Sequence, residues 1–256
     1  MAKPIDVGSG QLVVLLHGIG RNGQTWQYLS EALADQPVRI VAFDLLGFGE
    51  SPKPDWLDYT VDDHVAAVVH SIKRLQPVGP CIIVGHSMGC LIAVRLAAKR
   101  PDLVKNLLLY QMPLLKGLPN KRSYRLRLNV YQRLYERILQ YQPEAIHSRP
   151  KLRERFVHRY ISKGIDADSW QAYVNSLTNT VYEQTAPEDI PRVTAPMDVI
   201  YGSLDLLVIR GTIKHIHHRS HSEKLPVVHT ILASHRITKR ASRFLAERIM
   251  SATSDI

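Results

Sequence analysis

The feature that most constrains this chain is the stretch of residues 81–93, where a short apolar run meets a Gly-x-Ser-x-Gly motif and then an apolar-periodic segment. This order predicts a buried strand, a tight turn and a helix. A Cβ atom at Gly85 or Gly89 would collide with the neighbouring strand or helix, while Ser87 would adopt a strained backbone conformation. The Ser87 hydroxyl is then expected to project from the sheet edge toward the first N–H groups of the helix.

Strand and helix patterns alternate on both sides of this motif. Apolar runs typical of buried parallel strands occur at residues 11–16, 39–44, 81–84, 105–110, 197–201 and 227–232, with at most a short edge strand at 5–7. Helical spacing of apolar residues occurs at residues 25–34, 61–75, 91–99, 208–220 and 237–250. The alternation predicts an α/β fold with a mostly parallel central sheet flanked by helices.

The alternation stops between residues 112 and 190, which carry almost no strand signal. Aromatic and apolar residues recur there at spacings of three and four, which is one face of a helix. The stripes predict helices near residues 124–138, 152–160 and 170–181. We therefore expect an α/β core formed by residues 1–111 and 191–256 and an inserted helical cap formed by residues 112–190.

Composition agrees with this organisation. A chain of 256 residues that is 45% hydrophobic suits one α/β domain with an insertion. No apolar run approaches the roughly 18 residues of a membrane span, and the first residues do not resemble a signal peptide. Cys81 and Cys90 are expected to be small buried residues rather than a disulfide. These observations predict a cytoplasmic protein.

Three polar residues, Ser87, Asp205 and His235, come just after predicted strands. The carboxyl ends of parallel strands share one sheet edge, so these residues are expected to converge there. His235 would accept the Ser87 proton, and Asp205 would orient the imidazole ring and stabilise its protonated form. The backbone N–H groups of Ile19 and Met88 would bind the oxyanion of a tetrahedral intermediate.

Together these motifs resemble the α/β-hydrolase fold superfamily, in its branch of small serine esterases and C–C hydrolases. The matching segments cover most of the chain outside its middle: residues 17–20, 44–51, 85–89, 202–205 and 234–235. The chain order Ser, Asp, His is that of the family's triad. The resemblance also implies a helical cap inserted after the sixth strand of the family fold.

Three features depart from the family pattern. Only about sixteen residues precede His17, so the first antiparallel strands are expected to be short or absent. The acid loop lacks the proline that often follows the acid. Ser234 stands where the family usually has a glycine before the histidine.

Other residues compete for roles in the site. Asp44 and Asp198 are weaker candidates for the acid, and His229 is interpreted as structural because it lies within a strand. His17 and His86 belong to family motifs in which they support turns. The cluster His215, His217, His218 and His221 suggests a metal site, but no carboxylate or cysteine accompanies it in a known zinc spacing, so we expect no metal.

Positive charge is concentrated in the predicted cap. Residues 111–185 contain thirteen Lys or Arg and six Asp or Glu, which places +7 of the chain's +10 charge there. Three interpretations of this charge compete. The first is a solvated helix face, the second is a contact with an anionic substrate or an acidic carrier protein, and the third is a peripheral contact with an anionic membrane. The second interpretation resembles the basic lid of pimeloyl-ester carboxylesterases, which meets an acyl carrier protein. Its candidate contacts are Arg149, Arg153, Arg155 and Arg159.

The sequence therefore predicts a serine hydrolase that cleaves a carboxylic ester through an acyl-enzyme on Ser87, without a cofactor. Cleavage of a C–C bond, thioester hydrolysis and acyl transfer by the same triad remain alternatives. A binding protein that keeps the fold without turnover is less favoured, because candidates for the whole triad are present. Nucleic acid is not expected as a partner, because only the charge suggests it.

Overall fold

The computed structural model describes residues 1–117, 122–139, 168–205, 207–209 and 226–254, with the backbone alone described at positions 123, 127, 130, 134 and 139. Within these ranges seven strands form one sheet. The strands are β1 (Ile5–Gly8), β2 (Gln11–Leu16), β3 (Val38–Phe43), β4 (Cys81–His86), β5 (Val104–Tyr110), β6 (Met197–Gly202) and β7 (Val227–Ile231).

The strand order across the sheet is β1-β3-β2-β4-β5-β6-β7. Neighbouring strands run parallel except β1, which pairs antiparallel with β3 at the edge. The expected mostly parallel sheet is thereby confirmed, as is the short edge strand near the N-terminus. The parallel strands bring the loops after β2, β4, β5, β6 and β7 to one edge of the sheet.

Helices cover both faces of the sheet. These helices are α1 (Gln27–Ala32), α2 (Val61–Arg74), α3 (Met88–Lys99) and α7 (Lys239–Ser254). Three further helices, α4 (Arg122–Leu139), α5 (Trp170–Ser176) and α6 (Ala186–Asp189), lie in the segment between β5 and β6. In the described ranges no helix combines the length and the apolar character that crossing a bilayer requires.

Strand β2 shows how the two core layers arise. Alternate side chains of a strand point to opposite faces of the sheet. Leu12, Val14 and Leu16 pack in the layer covered by α2 and α3, whereas Val13 and Leu15 pack in the layer covered by α1 and α7. All five side chains are buried. Burial on both faces explains why β2 is a continuous apolar run rather than an alternating one.

The start of α2 is fixed by its own side chains. Thr60 Oγ1 accepts a hydrogen bond from the Asp63 N–H at 3.2 Å, and Asp63 Oδ2 accepts one from the Thr60 N–H at 2.8 Å. This capping box satisfies N–H groups that the first helical turn leaves without partners, and removing such a cap typically costs about 1 kcal/mol. Asp62 in the same turn accepts a hydrogen bond from Arg95 Nε at 2.8 Å, which ties α2 to α3.

The segment between β5 and β6 contains helices and no strand among its described residues, which confirms the expected helical insertion. Its α5 continues into a π-helical segment, Leu177–Tyr182. Two side chains of this segment hold the loop that precedes α2. Asn179 Nδ2 donates to the Asp58 carbonyl at 2.7 Å, and Thr180 Oγ1 donates to the Tyr59 carbonyl at 2.8 Å. These bonds join the inserted segment to the core.

Some sequence predictions differ from the structure or lie outside it. Helix α3 begins at Met88 rather than at residue 91, because the tight turn leads directly into it. The helix predicted at 25–34 is a 3₁₀ turn, Gly23–Trp26, followed by α1. The helix predicted near 152–160 lies outside the described residues, as does most of the one predicted at 208–220. The cap boundaries at 112 and 190 stay a prediction.

Candidate active site

Ser87 lies in the turn between β4 and α3 with φ of 52° and ψ of −119°. A positive φ is strained for a non-glycine residue and persists only where the surroundings enforce it. A Cβ atom on Gly85 would lie 2.6 Å from the Gly89 carbonyl oxygen, and one on Gly89 would lie 2.2 Å from the Leu16 carbonyl oxygen. The turn therefore needs both glycines, which confirms the steric argument made from the sequence.

The two predicted oxyanion donors both adjoin this turn. Met88 is the first residue of α3, a position whose N–H has no acceptor within its own helix. Ile19 lies in the turn after β2, the strand beside β4. The preceding residue, Gly18, is so close to the serine that a Cβ atom on it would lie 3.1 Å from Ser87 Cβ. The loop that carries Ile19 thus lies against Ser87.

His17 holds the loop that carries Ile19. The Leu45 N–H donates to His17 Nε2 at 2.9 Å, so the ring proton is on Nδ1, which donates to the Gly18 carbonyl at 2.8 Å. Burial lowers the pKa of His17 to about 4, so the ring is neutral at pH 7. His17 supports a turn, as the sequence analysis expected.

Asp205, His235 and Ser87 form a linear chain of hydrogen bonds. His235 Nδ1 lies 2.7 Å from Asp205 Oδ2, and His235 Nε2 lies 3.1 Å from Ser87 Oγ. Because a carboxylate oxygen accepts, the neutral ring carries its proton on Nδ1 and leaves Nε2 free to accept the serine proton. The Asp205 side chain is 1% exposed, and its Oδ1 accepts a hydrogen bond from the Leu207 N–H at 2.8 Å.

Three side chains at the ends of β4 and β5 hold the backbone of the loop that carries His235. They are His86, whose Nε2 donates to the His235 carbonyl (2.8 Å), Tyr110, whose Oη donates to the Arg236 carbonyl (3.0 Å), and Gln111, whose Nε2 donates to the Ser234 carbonyl (2.8 Å). The sequence analysis gave His86 a supporting role but missed Tyr110 and Gln111. Their signal was the one used for Ser87: a polar residue at the end of an apolar parallel strand.

Two arginines lie in loops at the same sheet edge. Arg21 follows the Ile19 loop, and Arg236 follows His235. Burial lowers the pKa of Arg21, and the charge of Arg236 lowers it further, so the two guanidinium groups act on each other. Burial and the proximity of His235 also hold the pKa of His86 well below its ordinary value, which keeps that ring neutral.

The competing residues have other partners. The Asp44 carboxylate accepts backbone hydrogen bonds, among them one from the Gly23 N–H at 2.7 Å. Asp198 Oδ1 lies 2.6 Å from His229 Nε2 and also accepts from Arg248 Nε at 3.3 Å. These contacts give Asp44 a role in a turn and Asp198 and His229 a role in an ion-pair cluster.

Several predicted contacts lie outside the described residues. They are the cap arginines Arg149, Arg153, Arg155 and Arg159 and the histidine cluster His215, His217, His218 and His221. Within the described ranges no group of three or more His, Cys, Asp or Glu side chains is arranged to hold a metal ion. Cys81 and Cys90 are free, and both are buried, as the sequence analysis expected.

Comparison with known proteins agrees with this architecture. A family model described as the alpha/beta hydrolase fold matches residues 11–226. Over 102 residues the chain is 40% identical to "Probable lysophospholipase BODYGUARD 4" of Arabidopsis thaliana, which covers 40% of this chain and 24% of that protein. Over 98 residues it is 41% identical to Lipase LipV of Mycobacterium tuberculosis, which covers 38% of this chain and 35% of that protein. The chain thus matches about a quarter to a third of the length of these relatives.

A solved esterase from Exiguobacterium antarcticum has a similar structure, with a TM-score of 0.75 and 18% identity over 98% of this chain and 94% of that one. At 18% identity this structural similarity shows a shared fold only. The family model, in contrast, covers most of the sequence, and the sheet order and the serine turn described above agree with it. The chain therefore belongs to the alpha/beta hydrolase fold family.

Proposed function

We propose that this protein is a serine hydrolase that cleaves carboxylic esters through an acyl-enzyme on Ser87. The observation that supports this most strongly is the chain of hydrogen bonds from Asp205 through His235 to the strained Ser87, at 2.7 and 3.1 Å. A nucleophile, a base within hydrogen-bond reach and a group that orients the base are what nucleophilic catalysis requires. The relatives named lysophospholipase and lipase support an ester substrate.

In the first half-reaction Ser87 Oγ attacks the ester carbonyl carbon while His235 Nε2 takes the hydroxyl proton. The carbonyl π electrons move onto oxygen, and the N–H groups of Ile19 and Met88 stabilise the oxyanion; losing one such donor typically costs about 2.7–4 kcal/mol. Asp205 stabilises the imidazolium. The tetrahedral intermediate then collapses, the C–O bond to the alcohol breaks, and the His235 proton goes to the leaving oxygen.

In the second half-reaction water replaces the alcohol. His235 takes a proton from water as the water oxygen bonds to the acyl carbon. Collapse of this second intermediate breaks the bond to Ser87 Oγ, which recovers its proton from His235. The products are a carboxylic acid and an alcohol, and no cofactor takes part in the proposed steps.

The proposal is limited to a small-molecule ester as the substrate. The hypothesis of an acyl group on an acidic carrier protein depends on Arg149, Arg153, Arg155 and Arg159, which lie outside the described residues. C–C and thioester cleavage would use the same three side chains, and no separate observation favours them. Interfacial contact with an anionic membrane likewise has no contact in the described residues to support it.

The test is covalent labelling with a small fluorophosphonate, read by intact mass, together with turnover of a short p-nitrophenyl ester. Wild type is expected to gain one adduct. Ser87→Ala is expected to gain none and to lose at least about 10⁴-fold in kcat. The matched control is Ser242→Ala, since Ser242 is a buried serine in α7 whose hydroxyl has no partner in the described part of the chain.

Labelling and turnover of Ser242→Ala should equal those of wild type. A folded wild type that gains no adduct and hydrolyses no ester would contradict the proposal. Labelling that persists in Ser87→Ala would also contradict it, since the reactive group would then be another residue.

A further inference from the structure

Gln111 connects the two loops that carry Asp205 and His235. It follows β5, is fully buried and has a φ of 58°. Its Nε2 donates to the Ser234 carbonyl at 2.8 Å, and its Oε1 accepts from the Gly202 N–H at 2.9 Å. Ser234 directly precedes the histidine, and Gly202 ends β6 three residues before the aspartate. One amide therefore spans the acid loop and the base loop.

The two backbone partners determine which end of the Gln111 amide is the oxygen and which is the nitrogen. A backbone N–H can only donate, so Gly202 must face the amide oxygen. A backbone carbonyl can only accept, so Ser234 must face the amide nitrogen. An ionised glutamate at this position has no donor for the Ser234 carbonyl. Methionine has neither a donor for that carbonyl nor an amide oxygen for the Gly202 N–H. Glutamine is the residue of this length that satisfies both loops.

Packing leaves the amide little freedom. A Cβ atom on Gly202 would lie 2.3 Å from Gln111 Nε2 and 2.2 Å from the Ala233 carbonyl oxygen, so the glycine makes room for the side chain. The Gln111 N–H donates to the Ile200 carbonyl at 2.9 Å, which anchors the residue to β6. Movement of the amide would therefore move the backbone on either side of the His235–Asp205 hydrogen bond.

We infer that Gln111 is a positioning residue that sets the separation of Asp205 and His235 through their backbone loops. The inference rests on the proposed function, in which His235 must lie within reach of Ser87 Oγ. Its consequence is kinetic: substitution should slow attack by Ser87 while leaving substrate affinity nearly unchanged. A displacement of about 1 Å in such a geometry typically costs about 10²-fold in rate.

The main variant is Gln111→Glu, and its matched control is Gln184→Glu. Gln184 is also buried and also bridges two backbone groups, since its Nε2 donates to the Pro113 carbonyl at 3.1 Å and its Oε1 accepts from the Leu115 N–H at 3.1 Å. The control thus introduces the same charge into a similar environment, but within the inserted segment. If Gln111→Glu does not fold, Gln111→Met takes its place.

The first readout is the second-order rate of Ser87 modification by a small fluorophosphonate, with kcat and KM for a short p-nitrophenyl ester. Gln111→Glu is expected to lose about 10- to 100-fold in the labelling rate and in kcat, with KM within about twofold. Gln184→Glu is expected to keep the wild-type labelling rate even where its melting temperature falls. A folded Gln111 variant with the wild-type rate, or equal losses in both variants, would overturn the inference.

The second readout needs no turnover. A ring N–H that donates to a carboxylate at 2.7 Å, as His235 does to Asp205, gives a proton NMR resonance far downfield of ordinary amide signals. His229 and Asp198 form a pair that can give a resonance of the same kind, so the His235 resonance is identified by its loss in Asp205→Asn. The His235 resonance should shift or disappear in Gln111→Glu and persist in Gln184→Glu; its unchanged persistence in both would overturn the inference. Failure of the wild type to label Ser87 would contradict the proposed hydrolase function instead, and the resonance would still decide the role of Gln111.

Discussion

Two aspartate–histidine pairs belong to β6 and β7, one within the strands and one in the loops that follow them, and in the described ranges only the second is hydrogen-bonded to a serine. Asp198 on β6 and His229 on β7 are 2.6 Å apart, whereas Asp205 and His235, in the loops after those strands, are 2.7 Å apart. Hydrogen-bond length therefore does not distinguish them. The difference lies in what each pair contacts next.

The pair within the strands is surrounded by structural partners. Arg248 donates to Asp198, and the Phe244 ring packs edge-on against His229 with ring centroids 5.4 Å apart. The pair in the loops has no arginine among its hydrogen-bond partners in the described ranges, and the second ring nitrogen of His235 faces Ser87. A histidine–carboxylate pair is therefore a candidate base only where the other ring nitrogen faces a nucleophile, as in His235.

The largest expected effect tests this directly. Asp205→Asn should lower kcat for a short p-nitrophenyl ester by up to about 10⁴-fold, because the amide favours the wrong tautomer of His235. Asp198→Asn removes the carboxylate from an equally short hydrogen bond and should change kcat by less than about threefold. The measurement is steady-state kinetics on both variants, with melting temperatures to verify folding. Similar losses of kcat in the two variants would contradict the assignment of the Asp205–His235 pair, rather than the Asp198–His229 pair, as the one that acts on Ser87.

The second expected effect is on stability, and it compares the two histidines paired with aspartates with His64, a buried histidine whose partner is a neutral serine. His64 is fully buried with its Nε2 3.1 Å from Ser176 Oγ, and burial lowers its pKa from 6.5 to about 3. Below pH 6.5 the His64 imidazole takes up a proton in the unfolded chain but not in the folded one. The free energy of unfolding that His64 contributes above pH 6.5 is therefore lost progressively as the pH falls to about 3. Between pH 7.5 and 5 the free energy of unfolding should fall by about 2 kcal/mol from this residue.

Urea unfolding at a series of pH values measures this effect. His64→Gln cannot titrate, so its free energy of unfolding should fall less steeply with acid than that of wild type. His70→Gln, at an exposed position of the same helix, is the control and should keep the wild-type profile. Parallel profiles for wild type and His64→Gln would contradict the assignment of His64 as neutral in the folded state.

The smallest expected effect concerns the arginine that distinguishes the two pairs. Arg248 is 31% exposed and its bonds to Asp198 are long, at 3.3 and 3.5 Å. Because solvent screens such a pair, Arg248→Met should lower the free energy of unfolding by about 1 kcal/mol or less and leave kcat unchanged. Chemical denaturation and ester kinetics on one preparation would measure both quantities. A loss of kcat would mean that the Asp198 cluster contributes to the chemistry.

Much of the fold followed from local pattern. The apolar runs of β2 and β4 predicted buried parallel strands, and the flanking glycines predicted the turn at Ser87, because both depend on sterics within a few residues. The convergence of Ser87, Asp205 and His235 followed from one topological rule, that parallel strands end at the same edge.

The rest depended on contacts between distant residues. Gln111 was missed because its partners, Gly202 and Ser234, are about 90 and 120 positions away, and no spacing in the sequence marks such a bond. The pairing of His64 with Ser176 was missed for the same reason. The start of α3 was placed too late because helical periodicity is weak where every side chain of the first two turns is buried.

The π-helical segment Leu177–Tyr182 has a consequence for insertions and deletions. A π-turn contains one residue more than an α-turn, so deleting a single residue here would allow the segment to relax into α-helix. Because the wider π-turn already absorbs the extra residue, the two flanking parts would keep nearly the same relative orientation, whereas deleting a residue from a regular α-turn would rotate them by about 100°. The hydrogen bonds from Asn179 and Thr180 to the loop at Asp58 and Tyr59 lie within the widened turn itself, so these are the contacts that the deletion would displace. The extra residue thus serves two local contacts with the core and leaves unchanged the face that the rest of the inserted helix presents to it.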